Sequence, residues 1–185
     1  MKYFILNIKF WIIGNIKKYF PFIGNYFRTT TSIITINQKL GIVDKEVIQY
    51  KKYNIVDNEV HWLNKLHDFK HTPTVINRNK NKITLSYAGE PLTSKNIPDN
   101  WQEQINVILK KLKEINCSHN DIKPSNLLLL NNNLMLIDFQ WANYEHEEIP
   151  SDWPKSIGGR YKHPKKIEDN YSILKSIKSI VKSKT

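Results

Sequence analysis

The sequence predicts an α+β fold, on three observations. Short Thr-, Ile- and Val-containing stretches between residues 29 and 88 read as strands. From Asn100 to Ile115 the apolar positions Trp101, Ile105, Ile108, Leu109 and Leu112 recur at helical spacing. Close behind come two very apolar runs, Leu127–Leu130 and Leu134–Ile137, joined by three asparagines as in a short hairpin. With 185 residues, 40% hydrophobic and 24% charged, the chain suits one domain or two small lobes sharing a cleft.

The elements follow in order. Residues 1–28 form a basic, aromatic segment: nine of the 21 aromatics lie in the first 27 residues, interleaved with Lys2, Lys9, Lys17 and Lys18. Its lysines interrupt every apolar run short of the roughly 18 residues a spanning helix needs, and it lacks a signal-peptide pattern. It suits either an anionic membrane surface or packing against the rest of the chain. Thr29–Ile36 reads as a strand, Gly41 as a break and Glu46–Lys52 as a second strand. Asp57 or Asn58 caps a helix running through Glu59, Leu63 and Leu66. Thr74–Asn77 and Ile83–Ala88 pair across an Asn-rich turn, and Gly89, Pro91 and Pro98 mark a connector. After the hairpin, Ser151–Lys166 reads as a loop. Glu168–Lys182 is a final helix with Ile173, Leu174, Ile177, Ile180 and Val181 as its apolar positions. The expected division is 1–28, 29–90 and 91–185.

The net charge of +11 is concentrated at the ends. Residues 1–43 carry six basic groups and no acid, and residues 155–185 nine basic groups against Glu168 and Asp169. The stretch between holds 13 basic and 15 acidic groups, which argues against nucleic-acid binding through the middle of the chain. The basic C-terminus leaves a polyanion open as a partner there. The single cysteine, Cys117, excludes an internal disulfide and a cysteine-based zinc site, and points to a reducing compartment.

The stretch His119-Asn-Asp-Ile-Lys-Pro-Ser-Asn126 lies between the helix and the hairpin, and Leu136-Ile-Asp-Phe-Gln140 on the hairpin's far side. Two carboxylates and an amide thus project from the ends of apolar segments. Such groups suit phosphoryl transfer: one carboxylate accepts or orients a hydroxyl proton, while a second carboxylate and an amide oxygen hold Mg²⁺.

At this point the sequence resembles the protein-kinase superfamily, in which an Asn follows the catalytic-loop Asp by five residues. Asp121 and Asn126 have that spacing, and Asp138 stands where the metal-binding Asp does. The resemblance implies a small protein-kinase-like bilobal fold with a truncated C-lobe, ATP and Mg²⁺ as cofactors, and a cytoplasmic location, peripheral at the membrane if residues 1–28 bind it. It implies Asp121 as catalytic base or hydroxyl-orienting group, Lys123 at the transferred phosphate, Asn126 and Asp138 on Mg²⁺, and His119 as a brace. Lys51, preferred over Lys52, falls where the family carries its phosphate-pairing lysine, with Glu59 as its ion-pair partner. The separation of eight residues is short for that pair.

Lys123 fits the Ser/Thr protein-kinase pattern. Asn120 and Ile137-Asp-Phe-Gln-Trp-Ala142 look more like choline kinase and aminoglycoside phosphotransferase. Gln140 replaces a glycine, so the metal loop is expected not to flip between active and inactive forms. A Gly-rich phosphate loop is absent, with Gly41 standing alone between the first strands. Gly158–Pro164 resembles the end of an activation segment, but Lys165 stands where the family has Glu. Asp169 and Ser172 resemble the opening of the helix that follows. Minimal bacterial sugar and lipopolysaccharide kinases look similar, so the expected activity is transfer of the γ-phosphate to a hydroxyl of a small-molecule, sugar or lipid-linked glycan acceptor. The alternatives are a compact atypical Ser/Thr protein kinase and an inactive pseudokinase serving as a scaffold. Trp141, Tyr144 and Trp153 are candidates to line an acceptor pocket.

Overall fold

Residues 25–150, 153–154 and 168–182 are described by the computed structural model, in a mixed α+β arrangement. Of the segment 1–28 expected at a membrane surface, residues 1–24 lie outside the described residues, as do most of the loop over 151–166 and the stretch from Gly158 to Pro164.

The first sheet is antiparallel throughout. Its strands are β1 (Asn25–Arg28), β2 (Ser32–Asn37), β3 (Ile42–Val47), β4 (Val75–Asn79) and β5 (Lys82–Ser86), in the spatial order β1-β2-β3-β5-β4. The strand expected over Thr29–Ile36 is shorter at its start, because residues 29–31 form a turn. The Thr29 N–H donates to the Ser32 carbonyl at 2.8 Å, and Thr29 Oγ1 accepts the Ser32 N–H at 3.0 Å. The last four residues of the 1–28 segment therefore pair with β2 and belong to the sheet.

The strand expected over Glu46–Lys52 also ends early, at Val47. The N–H groups of Ile48 and Gln49 both turn to the Thr31 carbonyl, and Tyr50 enters the left-handed region at φ 59°. Lys51–Tyr53 is then one turn of 3₁₀ helix. The alternating polarity of residues 48–52 does not come from a pleated strand.

Helix α1 (Ile55–Lys65) begins ahead of the expected caps, behind Asn54 at φ 51°. It buries Ile55, Val56, Glu59, Trp62 and Leu63, one face of a 3.6-residue period with a glutamate in its middle. That face packs on β4, β5 and the 3₁₀ turn Phe139–Trp141.

The remainder is built on α2 (Trp101–Glu114) and the hairpin β8 (Leu127–Leu130) and β9 (Asn133–Leu136), with β6 (Glu90–Pro91) along β8. β7 (Cys117–Ser118) pairs with β10 (Asn143–Tyr144). Of the three asparagines, Asn131 and Asn132 make the turn with φ 48° and 64°, the two-residue hairpin conformation that Asn tolerates best among non-glycine residues. Asn133 already pairs with Leu130. Gln104, buried on α2, fixes this turn: Nε2 donates to the Asn132 carbonyl at 3.0 Å and Oε1 accepts the Leu134 N–H at 2.7 Å. Gly89 sits at φ 98°, where a Cβ would lie 2.0 Å from the Leu129 carbonyl oxygen, so only glycine lets β6 approach β8.

Helix α3 (Asp169–Lys182) buries Ile173, Ile177 and Ile180 in the same core as Ile83, Ile108, Leu127, Leu136 and Phe139. Leu174 and Val181, grouped with them by composition, are 39% and 42% exposed and lie off that face.

Candidate functional site

A lysine on the inward face of β3 anchors the site. Val47 and Lys45 alternate inward while Glu46 points out, so Lys45 is 7% exposed, opposite Ile34 of β2 and Ile83 of β5. Its Nζ donates to Glu59 Oε1 at 2.9 Å and Oε2 at 2.8 Å, and to Asp138 Oδ1 at 2.6 Å. Glu59, expected to pair with Lys51, pairs instead with Lys45. Lys51 and Lys52 are exposed in the 3₁₀ turn, and the ion pair with Glu59 is made from β3. Two signals pointed to Lys45. It stands two residues from Val43 and from Val47 in a strand opening directly after Gly41, and it lies 14 residues from Glu59.

Buried Lys45 and Glu59 share this cluster with the partly exposed Asp138, and their proton affinities follow from it. Burial opposes the Lys45 charge, but the facing carboxylates of Asp138 and Glu59 outweigh it and hold the ammonium above the usual lysine value. Burial pushes Glu59 up, against the pull of Lys45. Burial also pushes on Asp138, but Lys45 prevails and holds its carboxyl below the usual aspartate value.

The other half of the site is the loop 119–126. His119 is fully buried; its Nδ1 accepts the Asp121 N–H at 3.3 Å, so the ring proton sits on Nε2 and goes to the Ile137 carbonyl at 3.0 Å. The ring also meets Phe139 edge-on at 4.6 Å between centroids, bracing the loop as expected. Asn120 adopts φ 64° and donates to the Ser118 and Trp141 carbonyls and to Asn143 Oδ1. From the first turn of α3, Asp169 accepts the N–H groups of His119 at 2.6 Å and Asn120 at 3.2 Å.

So held, Asp121 and Asn126 are each 4% exposed. Asn126 Nδ2 donates to the Asp121 carbonyl at 2.9 Å, and Lys123 Nζ to Asp121 Oδ2 at 2.6 Å. The Ile137 N–H donates to the Asn126 carbonyl at 3.1 Å, which brings Asp138 next to Asn126. Asp138 takes φ 73° and keeps 21% of its side chain exposed.

This donor set fits Mg²⁺ if the nucleotide supplies the remaining ligands. With Nδ2 committed to the loop, Asn126 Oδ1 is an acceptor with no hydrogen bond among the described residues, and Asp138 Oδ2 is another. Among the described residues no cluster of three or more His, Cys, Asp or Glu side chains forms an all-protein metal cage. Mg²⁺ commonly takes only one or two carboxylates plus phosphate oxygens and water.

The aromatics beyond Asp138 divide. Tyr144 and Trp153 line a cleft of about 550 Å³ with His61, Trp62, Glu147 and Glu148. Trp141 is 3% exposed, packed edge-on against Tyr50, Tyr53 and Trp153, and serves the core.

No protein-family model matches the chain, and no curated protein matches it significantly. Among the described residues no helix is long and apolar enough to cross a membrane.

Proposed function

We propose that the protein is an ATP-dependent phosphotransferase on a compact protein-kinase-like bilobal fold, moving the γ-phosphate to the hydroxyl of a small-molecule, sugar or lipid-linked glycan acceptor. The observation that carries this reading is the buried Lys45 held between Glu59 and Asp138, beside the loop that presents Asp121 and Asn126.

Each group has a role in that chemistry. Glu59 keeps Lys45 in place, and Lys45 pairs with nucleotide phosphate oxygens in exchange for part of its contact with Asp138. Asn126 Oδ1 and Asp138 would hold Mg²⁺, which supplies charge neutralisation on the phosphates. Asp121 orients the acceptor hydroxyl and takes its proton as the oxygen attacks phosphorus. Lys123, already on Asp121, meets the transferred phosphate. That last contact also favours a second reading, a Ser/Thr protein kinase, since lysine at this position fits that pattern.

The test is transfer from labelled MgATP in a cell extract fractionated into lipid-linked glycan, small molecules and protein, with Asp121→Ala as control. Label entering the glycan or small-molecule fraction with wild type alone is the expected result. Label on protein alone favours the second reading, and label nowhere overturns catalysis and leaves a pseudokinase.

A further inference from the structure

Gln140 is nearly fully buried two residues beyond Asp138, and its side chain reaches across to the β1–β2 turn, 109 residues away in the chain. Thr31 Oγ1 donates to Gln140 Oε1 at 3.1 Å, Gln140 Nε2 donates to Ser32 Oγ at 3.4 Å, and Ser32 Oγ donates to Thr31 Oγ1 at 3.2 Å. These bonds close a ring in which each group donates once and accepts once, satisfying polar groups in a site where Ser32 is 0% exposed. The Gln140 backbone is fixed as well, because Asn58 of α1 donates to its carbonyl at 3.0 Å and to that of Ala142 at 2.7 Å. The turn, the metal loop and the helix carrying Glu59 therefore meet at one residue.

We infer that Gln140 is a positioning residue that ties the Thr29–Ser32 turn to the Asp138 loop, so that the turn is set before nucleotide arrives. This rests on the reading of the site as a nucleotide site. It explains together why residues 29–32 can be Thr-Thr-Thr-Ser with no glycine, and why glutamine stands after Phe139. A turn that closes on its ligand needs glycine's conformational range, whereas a turn held closed by side-chain hydrogen bonds needs hydroxyls. Thr29 meets that need too, accepting the Ser32 N–H and donating to the Ser32 carbonyl at 3.1 Å.

The experiment compares the full chain with Gln140→Gly and Thr31→Val, which cut the same link from opposite sides. Hydrogen exchange of amides 29–36 is followed with and without MgATP, alongside MgATP binding and KM against kcat. In wild type the turn is protected without nucleotide and changes less than about twofold on adding it. In both variants protection without nucleotide falls about tenfold or more, the scale of one or two neutral hydrogen bonds, and is partly recovered with MgATP. KM for MgATP rises more than kcat falls, while exchange in β8–β9 stays as in wild type. A wild-type turn that exchanges freely until MgATP is added overturns the inference, and so does unchanged exchange in both variants. If wild type binds no MgATP, the functional reading fails and the role of the turn falls with it. The exchange measured without nucleotide still decides whether the link exists.

Discussion

The two halves of the site are built differently. The Asp121 half is a single loop of eight residues, and its functional groups hydrogen-bond mainly to each other and to their own backbone. The Lys45 half is assembled from three separate elements, β3, α1 and the end of β9, and nothing local holds its groups together. The first is a rigid presenter of polar groups, the second a buried charge cluster that exists only once the fold is complete. Damage to the first should therefore be read in catalysis, and damage to the second in stability.

Asp121→Ala should show the first behaviour at full size. Loss of a positioned proton acceptor lowers kcat by about 10²- to 10⁴-fold. Nucleotide affinity should change little, since Lys45, Asn126 and Asp138 remain. Single-turnover transfer and equilibrium MgATP binding measure the two separately. A variant that transfers phosphate at the wild-type rate would remove Asp121 from the mechanism.

Lys45→Met should show the second. Removing one partner leaves the buried Glu59 and the partly exposed Asp138 without their cation, a cost toward the lower end of about 3–5 kcal/mol in urea or thermal unfolding. The pH dependence should invert as well. In wild type, Asp138 lies below its ordinary 3.8, so its contribution is complete above that value and lost as pH falls through the lower folded one. Lys45 lies above its ordinary 10.5, so its contribution is complete below that value and lost as pH rises through the higher folded one. Glu59, already raised by burial, recovers stability on protonation. Without Lys45, both carboxylates shift upward in the folded state, and the variant gains stability as pH falls from 8 toward 5. A variant whose stability is flat over that range, or lost along it, breaks the account of the cluster.

Asp169 tests whether the loop half is as self-contained as its sequence suggests. Replacing it with Ala leaves the His119 and Asn120 N–H groups without their charged acceptor, at a cost of about 1.5–3 kcal/mol. Asp169→Asn, which retains one acceptor oxygen, should fall between the two in chemical denaturation. An Ala variant as stable as wild type would show that the loop holds itself.

The same contrast decides what could be read from the chain alone. Spacing within one segment needs no knowledge of the fold, so His119, Asp121, Lys123 and Asn126 were legible, as were α2 and the Leu-rich hairpin around them. Glu59 was legible as an acid early on the helix, but its lysine was sought in a strand expected over Glu46–Lys52, while β3 spans Ile42–Val47. The end of β3 is set by Ile48 and Gln49 donating to the Thr31 carbonyl, a contact between segments that local polarity does not report. Asp169 reaches the loop across 50 residues and Gln140 the turn across 109, and neither contact has a sequence signature. Gln140 was visible after Phe139, and its partners Thr31 and Ser32 appear only in the fold.

The smallest predicted effect separates the two lysines. Lys51 is exposed in a 3₁₀ turn, with Glu59 and Asp138 both engaged by Lys45. Lys51→Ala should therefore change stability by no more than about 0.5 kcal/mol and leave MgATP binding as in wild type. The comparison with Lys45→Met is made at the same pH and salt, because an exposed lysine near a polyanionic ligand acts by screened attraction and loses its effect as salt rises. A Lys51 variant that weakens MgATP binding tenfold at high salt, while Lys45→Met leaves binding intact, would return the phosphate-pairing role to the 3₁₀ turn. The buried Lys45 cluster would then be purely structural.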